Sequence, residues 1–243
     1  LDCFDRLLLP EGNAGSLLLG DTTILMAPSN VGKTTAMITI IRHNILRQRP
    51  TLFLVHEGGV VDLQLKLWCS LLRVTKGQLM QMYSTEEGQT KIERMLKVIK
   101  KFLTFVPIIK PGLNVEEVQG VIERKIEDRI AKYGSGYALV VDDYPAKLMT
   151  QQAGKGNWAR RQIDDYVYNQ FVAMAGEHHF HSLLAIQTNR DGSKVNNNRW
   201  GKESRLLTME DVSESWGPMT AATNVITLNR DPVAMARHRL TYY

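Results

Sequence analysis

A short segment of the chain has the residue types and the spacing of a phosphate-binding loop. The segment APSNVGKT (27–34) fits the pattern G-x-x-x-x-G-K-[ST], except that alanine stands at the first glycine position. Backbone N–H groups in such a loop surround phosphate oxygens at the start of a helix, where the helix dipole favours negative charge. We therefore predict that Lys33 contacts the β- and γ-phosphates of a nucleotide and that the Thr34 hydroxyl binds Mg²⁺. The predicted nucleotide-binding residues of the loop are Ser29, Asn30, Val31, Gly32, Lys33, Thr34 and Thr35.

Two acids at the end of an apolar run are candidates for the magnesium side of the same site. The segment YALVVDD (137–143) reads as a buried strand that ends in Asp142 and Asp143. A phosphate-binding loop needs such a second acid for magnesium, and one of the two carboxylates is expected to face the nucleotide through the water shell of the Mg²⁺ ion. Spacing alone leaves both acids open for this role.

Two further strand ends carry residues suited to hydrolysis. Glu57 ends TLFLVHE (51–57), and a carboxylate there can accept a proton from an in-line water. Gln187 lies at the end of SLLAIQT (182–188), where its amide can bond the γ-phosphate and report which nucleotide is bound. An ordinary strand-end role is the alternative for Gln187. The predicted catalytic set is Glu57, Lys33 and Gln187.

The remaining pattern describes the scaffold that positions these residues. Short apolar runs alternate with longer amphipathic segments, which predicts an α/β fold with a mostly parallel sheet flanked by helices. Strands are predicted at 22–27, 51–57, 105–109, 137–143, 182–188, 224–230 and 234–243. Helices are predicted at 33–48, 63–74, 86–103, 115–134 and 163–179.

Two irregular stretches, 151–161 and 189–205, interrupt this alternation after strands. Open α/β folds place ligand loops at such positions. Both stretches are rich in basic residues, which neutralise phosphates, and each contains a tryptophan, Trp158 or Trp200, that can stack on a base. The alternative is solvated surface, with the tryptophans packed at subunit contacts.

Composition limits the class of protein. The chain has 243 residues, 44% of them hydrophobic, so it can bury a sizeable core. Its net charge of +5 permits a polyanionic partner without requiring one. Cys3 and Cys69 lack metal-ligand spacing, which favours a reducing compartment over a disulfide framework. No apolar run approaches the roughly 20 residues that span a bilayer, so no membrane partner is expected.

In this order the motifs resemble the RecA-type motor domain of DnaB-like hexameric replicative helicases, over nearly the whole chain. GDTTILMAPSNVGKTT is similar to the family's first motif, which often has alanine at the first loop position. FLVHEGG resembles the segment of the catalytic glutamate, which maps onto Glu57. LVVDDYPAKLM, aligned on Tyr144, makes Asp143 the magnesium-side acid and leaves Asp142 where the family usually has an aliphatic residue. LLAIQTNR makes Gln187 the candidate sensor.

A later segment, MEDVSESWGPMTAATNVITLNRD, is similar to the family's Asp-x-x-Glu-Ser, strand and Arg-Asp sequence. Ser213 and Trp216 depart from the Arg and Gly that usually flank Glu-Ser, so the DNA contacts there are expected to differ. The matching residues are Asp211, Glu214, Ser215, Arg230 and Asp231. With the resemblance, the second irregular stretch is the favoured DNA contact, while the first stays open. The DNA-binding candidates are Arg190, Lys194, Arg199, Lys202, Arg205 and Glu214.

The resemblance implies ATP and Mg²⁺ as cofactors, single-stranded DNA as partner, and a homo-oligomer, expected to be a hexameric ring. A primase or a loader is a further candidate partner, and the cytoplasm of a bacterium or of a phage-infected host is the expected location. Residues 1–243 would form one motor domain that unwinds in the 5′→3′ direction, with the family's N-terminal domain and C-terminal tail outside it. The arginine finger is expected beyond Tyr243, with Arg237 and Arg239 as backup candidates.

Three other functions share the phosphate-binding loop. A RecA-like recombinase or a circadian-type ATPase has the same core, but the Asp-x-x-Glu-Ser and Arg-Asp segments favour the helicase branch. A regulatory ATP-binding module without turnover would be expected to lose one of Lys33, Thr34, Glu57 and Asp143, all of which are present. A small-molecule kinase usually has an arginine-rich lid, and the sequence has no clear one.

Overall fold

The computed structural model describes residues 18–29, 31–56, 59–108, 112–156, 158–188, 207–208, 211, 217–229 and 241–242. Within them, seven strands form one sheet in the order β3–β2–β4–β5–β1–β6–β7. The ladders that join β3, β2, β4, β5, β1 and β6 are parallel, and β7 pairs antiparallel with β6. The predicted α/β fold with a mostly parallel sheet is confirmed. The strands are β1 (Thr22–Ala27), β2 (Thr51–Val55), β3 (Leu103–Pro107), β4 (Leu139–Asp143), β5 (His181–Gln187), β6 (Asn224–Asn229) and β7 (Thr241–Tyr242).

The helices that connect these strands lie close to their predicted positions. Two helices, the five-residue α7 (Gly217–Ala221) and α3 (Lys76–Tyr83), were not predicted. The hydrophobic pattern of α3 is weak. Its sequence signal is a capping box, in which Thr75 Oγ1 accepts from the Gln78 N–H and Gln78 Oε1 accepts from the Thr75 N–H. The helices are α1 (Lys33–Leu46), α2 (Val60–Leu72), α3 (Lys76–Tyr83), α4 (Glu86–Phe102), α5 (Val115–Tyr133), α6 (Arg160–His178) and α7 (Gly217–Ala221).

The first irregular stretch is more regular than the sequence predicts. Gln151–Lys155 forms a 3₁₀ turn, and α6 begins at Arg160, three residues before the predicted start at 163. The side chain of Gln162 accepts from the Ala159 N–H at 2.9 Å, which satisfies a backbone group at the start of the helix. Arg160 and Arg161 therefore belong to the first turn of α6 rather than to a loop.

The sheet is buried on both faces, which explains why its strands read as continuous apolar runs. Val141 belongs to the cluster that contains Met37 and Ile41 of α1. Its neighbour Val140 belongs to the opposite cluster, together with Ile122 of α5 and Phe171 of α6. Alternation along a strand thus assigns each residue of β4 either to the α1 face or to the α5–α6 face.

None of the helices in the described part of the chain has the length and the apolar character needed to cross a membrane.

Candidate functional site

The carboxyl ends of the parallel strands carry the predicted site residues to one edge of the sheet. Ala27, the last residue of β1, is in register with Gln187, the last residue of β5. Val55, the last residue of β2, is in register with Asp143, the last residue of β4. Residues that are far apart in sequence therefore end at the same level, where open α/β sheets bind their ligands.

The phosphate-binding loop joins β1 to α1 at this edge. Gly32 adopts φ 107° and ψ 23°, a left-handed conformation that glycine accepts without the steric penalty of a side chain. Its carbonyl accepts the first helical bond, from the Ala36 N–H at 2.9 Å. Ala27 is fully buried at the end of β1 and has a negative φ. The alanine at the first loop position therefore fits, because this position is part of the strand.

The side chains of the loop point toward its own carbonyls and toward β4. Lys33 Nζ donates to the carbonyl oxygens of Ala27 at 2.7 Å and Pro28 at 3.2 Å, so the ammonium is held beside the loop. The Thr34 hydroxyl donates to Asp143 Oδ2 at 2.9 Å. A hydroxyl and a carboxylate are the hard oxygen ligands that Mg²⁺ takes when substrate phosphates complete its shell. This donor pair fits a magnesium ion bound with a nucleotide.

A cavity of about 590 Å³ opens over these groups. Ser29 and Gln187 line it as the sequence predicts, but four of its lining residues were not among the predicted site residues. Asp62 and Lys66 form an ion pair of 2.7 Å along α2, and α2 follows β2 at the same edge of the sheet. That topological position is the signal that would have identified them. The lining residues are Ser29, Gly32, Lys33, Thr34, Asp62, Leu63, Lys66, Asp143, Tyr144 and Gln187.

The other acid of β4 lies on the opposite face of the sheet. Asp142 is fully buried, and its Oδ1 lies 2.8 Å from Nε2 of His56, the residue after β2. Burial raises the pKa of the Asp142 carboxyl, and the nearby His56 ring only partly opposes this. Burial acts to lower the pKa of His56, but the Asp142 carboxylate outweighs it, so the pKa is raised. The cavity is thus reached by Asp143 alone of the two acids.

Several predicted residues lie outside the described part of the chain. Among the nucleotide and catalytic predictions these are Asn30 and Glu57. Asp211, matched through the resemblance, is buried and its Oδ2 accepts from the Thr208 N–H at 2.9 Å, which is a local turn contact. The other predicted residues outside the description are Arg190, Lys194, Arg199, Trp200, Lys202, Arg205, Glu214, Ser215, Arg230, Asp231, Arg237 and Arg239.

The first basic stretch is partly occupied by fold contacts. The Trp158 ring packs edge-on against Tyr166 of α6, with the ring centroids 5.7 Å apart, at the border of the α5–α6 core. Arg160 pairs with Asp164 at 2.9 Å. Arg161 is exposed. Within this stretch, the tryptophan that could have stacked on a base is therefore held by the protein itself.

Comparison with known proteins adds the fold relationship. Neither a protein-family model nor a curated protein sequence matches the chain. A solved structure described as an ATPase domain is similar, with a TM-score of 0.70 and 16% sequence identity over 88% of this chain and 70% of that chain. The chain has the fold of that ATPase domain.

A second solved structure shows the same RecA-like fold in a longer protein. It is described as a DnaB-like replicative helicase and its interactions with primase, and it has a TM-score of 0.70 and 16% sequence identity. The match covers 90% of this chain and 49% of that chain. The chain thus spans about half of that helicase, and the RecA-like fold predicted from the motifs is confirmed.

Proposed function

We propose that the chain is an ATP-dependent DNA helicase motor that hydrolyses ATP to move along single-stranded DNA and unwind duplex. The observation that carries the proposal is the contact of 2.9 Å between Thr34 and Asp143 beside Lys33, at the open carboxyl edge of a RecA-like sheet. It is supported by the fold shared with a solved ATPase domain and with a DnaB-like replicative helicase.

Each residue at this edge has a role in the proposed reaction. Backbone N–H groups of the loop and the Lys33 ammonium bind the nucleotide phosphates, and Thr34 and Asp143 would hold the Mg²⁺ ion. Bound Mg²⁺ would neutralise charge that develops on the β- and γ-phosphates. Glu57 accepts the proton of the attacking water, and Gln187 contacts the γ-phosphate from the end of β5.

The DNA-binding part of the proposal rests on the second basic stretch and on assembly. Arginine and lysine side chains of 189–205 bind the phosphates of a strand in the channel of a homo-oligomeric ring, expected to be a hexamer. An arginine finger from the neighbouring subunit completes the ATP site, so nucleotide lies between subunits. Hydrolysis then shifts the loop after Gln187 and moves the strand, in the 5′→3′ direction.

ATP turnover with and without single-stranded DNA tests the proposal. We expect turnover that DNA stimulates and that Glu57→Gln reduces by roughly 100-fold or more, because the water loses its base. ATP binding should survive in that variant. Glu127→Gln, at an exposed position of α5, is the matched control and should behave as the wild type. Turnover of Glu57→Gln at the wild-type rate would remove Glu57 from the mechanism.

Unwinding of forked duplexes distinguishes a helicase from its relatives. A motor of the proposed polarity unwinds a fork that it loads through the 5′ tail and leaves a fork with only a 3′ tail intact. DNA-stimulated turnover without unwinding of either fork would favour the RecA-like recombinase alternative. ATP binding without turnover, also in a chain extended at its C-terminus, would favour a regulatory ATP-binding module.

The salt dependence of DNA binding tests the second basic stretch. Arg199→Ala should weaken binding to all sequences alike and should lower the slope of log affinity against log salt by roughly 1, because one phosphate contact is lost. Arg124→Ala, at an exposed position of α5, is the control. If the slope is unchanged in Arg199→Ala and also in alanine variants of the other lysines and arginines of 189–205, the DNA contact lies outside this stretch.

A further inference from the structure

A buried histidine contacts a buried carboxylate, and that carboxylate belongs to the residue directly before Asp143, the proposed magnesium-side acid. His56 Nε2 lies 2.8 Å from Asp142 Oδ1, and the side chains are 3% and 0% exposed. His56 directly follows β2 and precedes the proposed catalytic Glu57. Asp142 directly precedes Asp143 in β4. The pair therefore links the first residue after β2 to β4, the strand that carries the proposed metal ligand.

The pair is poorly suited to a purely stabilising role. Beyond their mutual contact, His56 Nε2 and Asp142 Oδ1 have no hydrogen-bond partner among the described residues, and Asp142 Oδ2 has none at all there. Their mutual contact of 2.8 Å is therefore the polar contact that each of these two atoms has among the described residues. Taking two charges out of water is costly, and well-packed apolar side chains often replace such pairs without loss of stability. A buried polar group left incompletely satisfied needs another explanation.

The backbone around the pair shows what it could hold in place. The β2–β4 ladder ends at the pairing of Val55 with Asp143, so His56 lies just past the last main-chain pairing. On the other strand, Tyr144 follows Asp143 with φ 94° and ψ 71°, a left-handed conformation that is strained for a non-glycine residue. Asp143 is thus the last strand residue before a strained turn, and the side-chain pair fixes its neighbour.

We propose that the His56–Asp142 pair is a positioning device that fixes the Asp143 carboxylate against Thr34 from the opposite face of the sheet. This inference rests on the proposed function, because it gives Asp143 its role beside the metal ion. The pair ties His56, the first residue after the β2–β4 ladder, back to Asp142, which lies inside the ladder one residue before its end. This side-chain tie supplements the main-chain pairing, so the end of β4 does not shift when the Asp143 carboxylate exchanges the Thr34 hydroxyl for a metal-bound ligand. A displacement of about 1 Å at such a position is enough to cost up to roughly 100-fold in rate.

Three variants separate positioning from packing. His56→Leu leaves the Asp142 carboxylate buried without a partner, so both thermal stability and turnover should fall. The double variant His56→Leu/Asp142→Val fills the site with apolar groups, so the unfolding midpoint should return toward the wild type while kcat stays about tenfold low. His56→Gln, whose amide N–H can reach Asp142, should restore most of the turnover.

His181→Leu is the matched control at the other end of the sheet. His181 is a buried histidine at the start of β5, bonded to Thr23 Oγ1 at 3.0 Å and to the Leu18 carbonyl oxygen at 2.9 Å. Its loss should lower the unfolding midpoint without changing kcat of the folded fraction. This control shows whether kcat falls when any buried histidine is lost or only when His56, which contacts Asp142, is lost.

A metal readout makes the test independent of turnover. Mn²⁺ binding to the complex with ADP, followed by electron paramagnetic resonance, should weaken about tenfold in the double variant, because the Asp143 carboxylate is no longer held beside Thr34. Binding of fluorescent ADP in the presence of a chelator should not change.

The outcomes are distinct. If the double variant recovers stability, kcat and Mn²⁺ affinity together, the pair merely fills space and the inference is overturned. If His56→Gln stays as impaired as His56→Leu, the contact with Asp142 is not what positions the site, and the inference is overturned as well. If the wild type shows no ATP turnover, also in a chain extended at its C-terminus, the proposed function fails, and the Mn²⁺ measurement still decides on the pair.

Discussion

Asp142 and Asp143 are consecutive acids of one strand, and they lie in opposite environments. Asp143 ends β4 at an open cavity, where its Oδ2 accepts a hydrogen bond of 2.9 Å from Thr34. Asp142 is fully buried on the other face and contacts His56. The same side chain is suited to a metal ion in the first environment and needs a cationic partner in the second.

The difference follows from strand alternation and from the helices on each face. Val141 faces α1, and Asp143, two residues later, faces the same side and meets the phosphate-binding loop. Val140 faces α5 and α6, and so does Asp142. A carboxylate at a solvent-open edge keeps its charge at low cost, whereas burial penalises the charged form unless a partner compensates.

The largest expected effect comes from the loop on the cavity side. Lys33→Ala should reduce ATP turnover by roughly 100-fold or more, because the charge of the transferred phosphoryl group loses its fixed cation. The circular dichroism spectrum and the unfolding midpoint should stay close to the wild type, since Lys33 is not part of the core. Lys125→Ala, at a half-exposed position on α5, is the control. Full turnover in Lys33→Ala would break the assignment of this face as the nucleotide site.

Exchanging each acid for its amide tests the comparison directly. Asp143→Asn should lower turnover by about 100-fold and should weaken Mg²⁺-dependent nucleotide binding, because the proposed metal site loses its negative charge. Asp142→Asn keeps an oxygen that faces His56, so its turnover should fall by only about threefold. The measurement is kcat at saturating ATP, with Mg²⁺ varied. Equal losses in the two variants would contradict the separate roles of the two faces.

A smaller effect is expected from the partner of Asp143. Thr34→Val removes the hydroxyl that donates to Asp143 and should raise the Mg²⁺ concentration for half-maximal turnover by about tenfold. Thr34→Ser should restore it. Thr39→Val is the control, because the Thr39 hydroxyl donates to the Thr35 carbonyl oxygen along the same helix. An effect of equal size in both valine variants would show that a general disturbance of α1, rather than the loss of a metal ligand, causes it.

The smallest effect concerns the pH dependence of stability. His181 resembles His56 in burial, but burial lowers its pKa, because the hydrogen bond to the Leu18 carbonyl oxygen and the Asp21 carboxylate oppose this only in part. His181 therefore binds a proton more readily in the unfolded state than in the folded state. Its contribution to stability is fully present above the unfolded pKa and is lost as the pH falls below that value. One such group changes the free energy of unfolding by at most about 1.4 kcal/mol per pH unit.

Denaturant unfolding between about pH 8 and pH 5 measures this slope. His181→Gln should have a shallower loss of stability toward acid than the wild type. His56 acts in the opposite direction, because its raised pKa gives stability that is lost as pH rises through the folded value. The difference between the wild type and His181→Gln isolates the His181 contribution. An unchanged slope would show that the pKa of His181 is not lowered by burial.

The local sequence pattern predicted some helices and strands correctly and missed or misplaced others. TTILMA matches β1 at both ends, because a strand buried on both faces reads as an unbroken apolar run. Helix α3 was missed, since only a capping box marks it. The start of α6 was placed too late, because the two arginines at 160 and 161 read as loop residues, although Arg160 pairs with Asp164 within the helix.

The sequence by itself determined the phosphate-binding loop, because its backbone N–H groups, lysine and threonine are contiguous and their chemistry depends on local geometry. It also determined the order of the described strands along the chain and the parallel α/β class, although β2 ends at Val55 and β3 at Pro107, each two residues before its predicted end. Only the tertiary structure decided which acid faces the cavity, that His56 meets Asp142, and that Asp62 and Lys66 line the site. These outcomes depend on which face of the sheet each helix covers, and that is set by the chain connections between strands rather than by any local residue pattern.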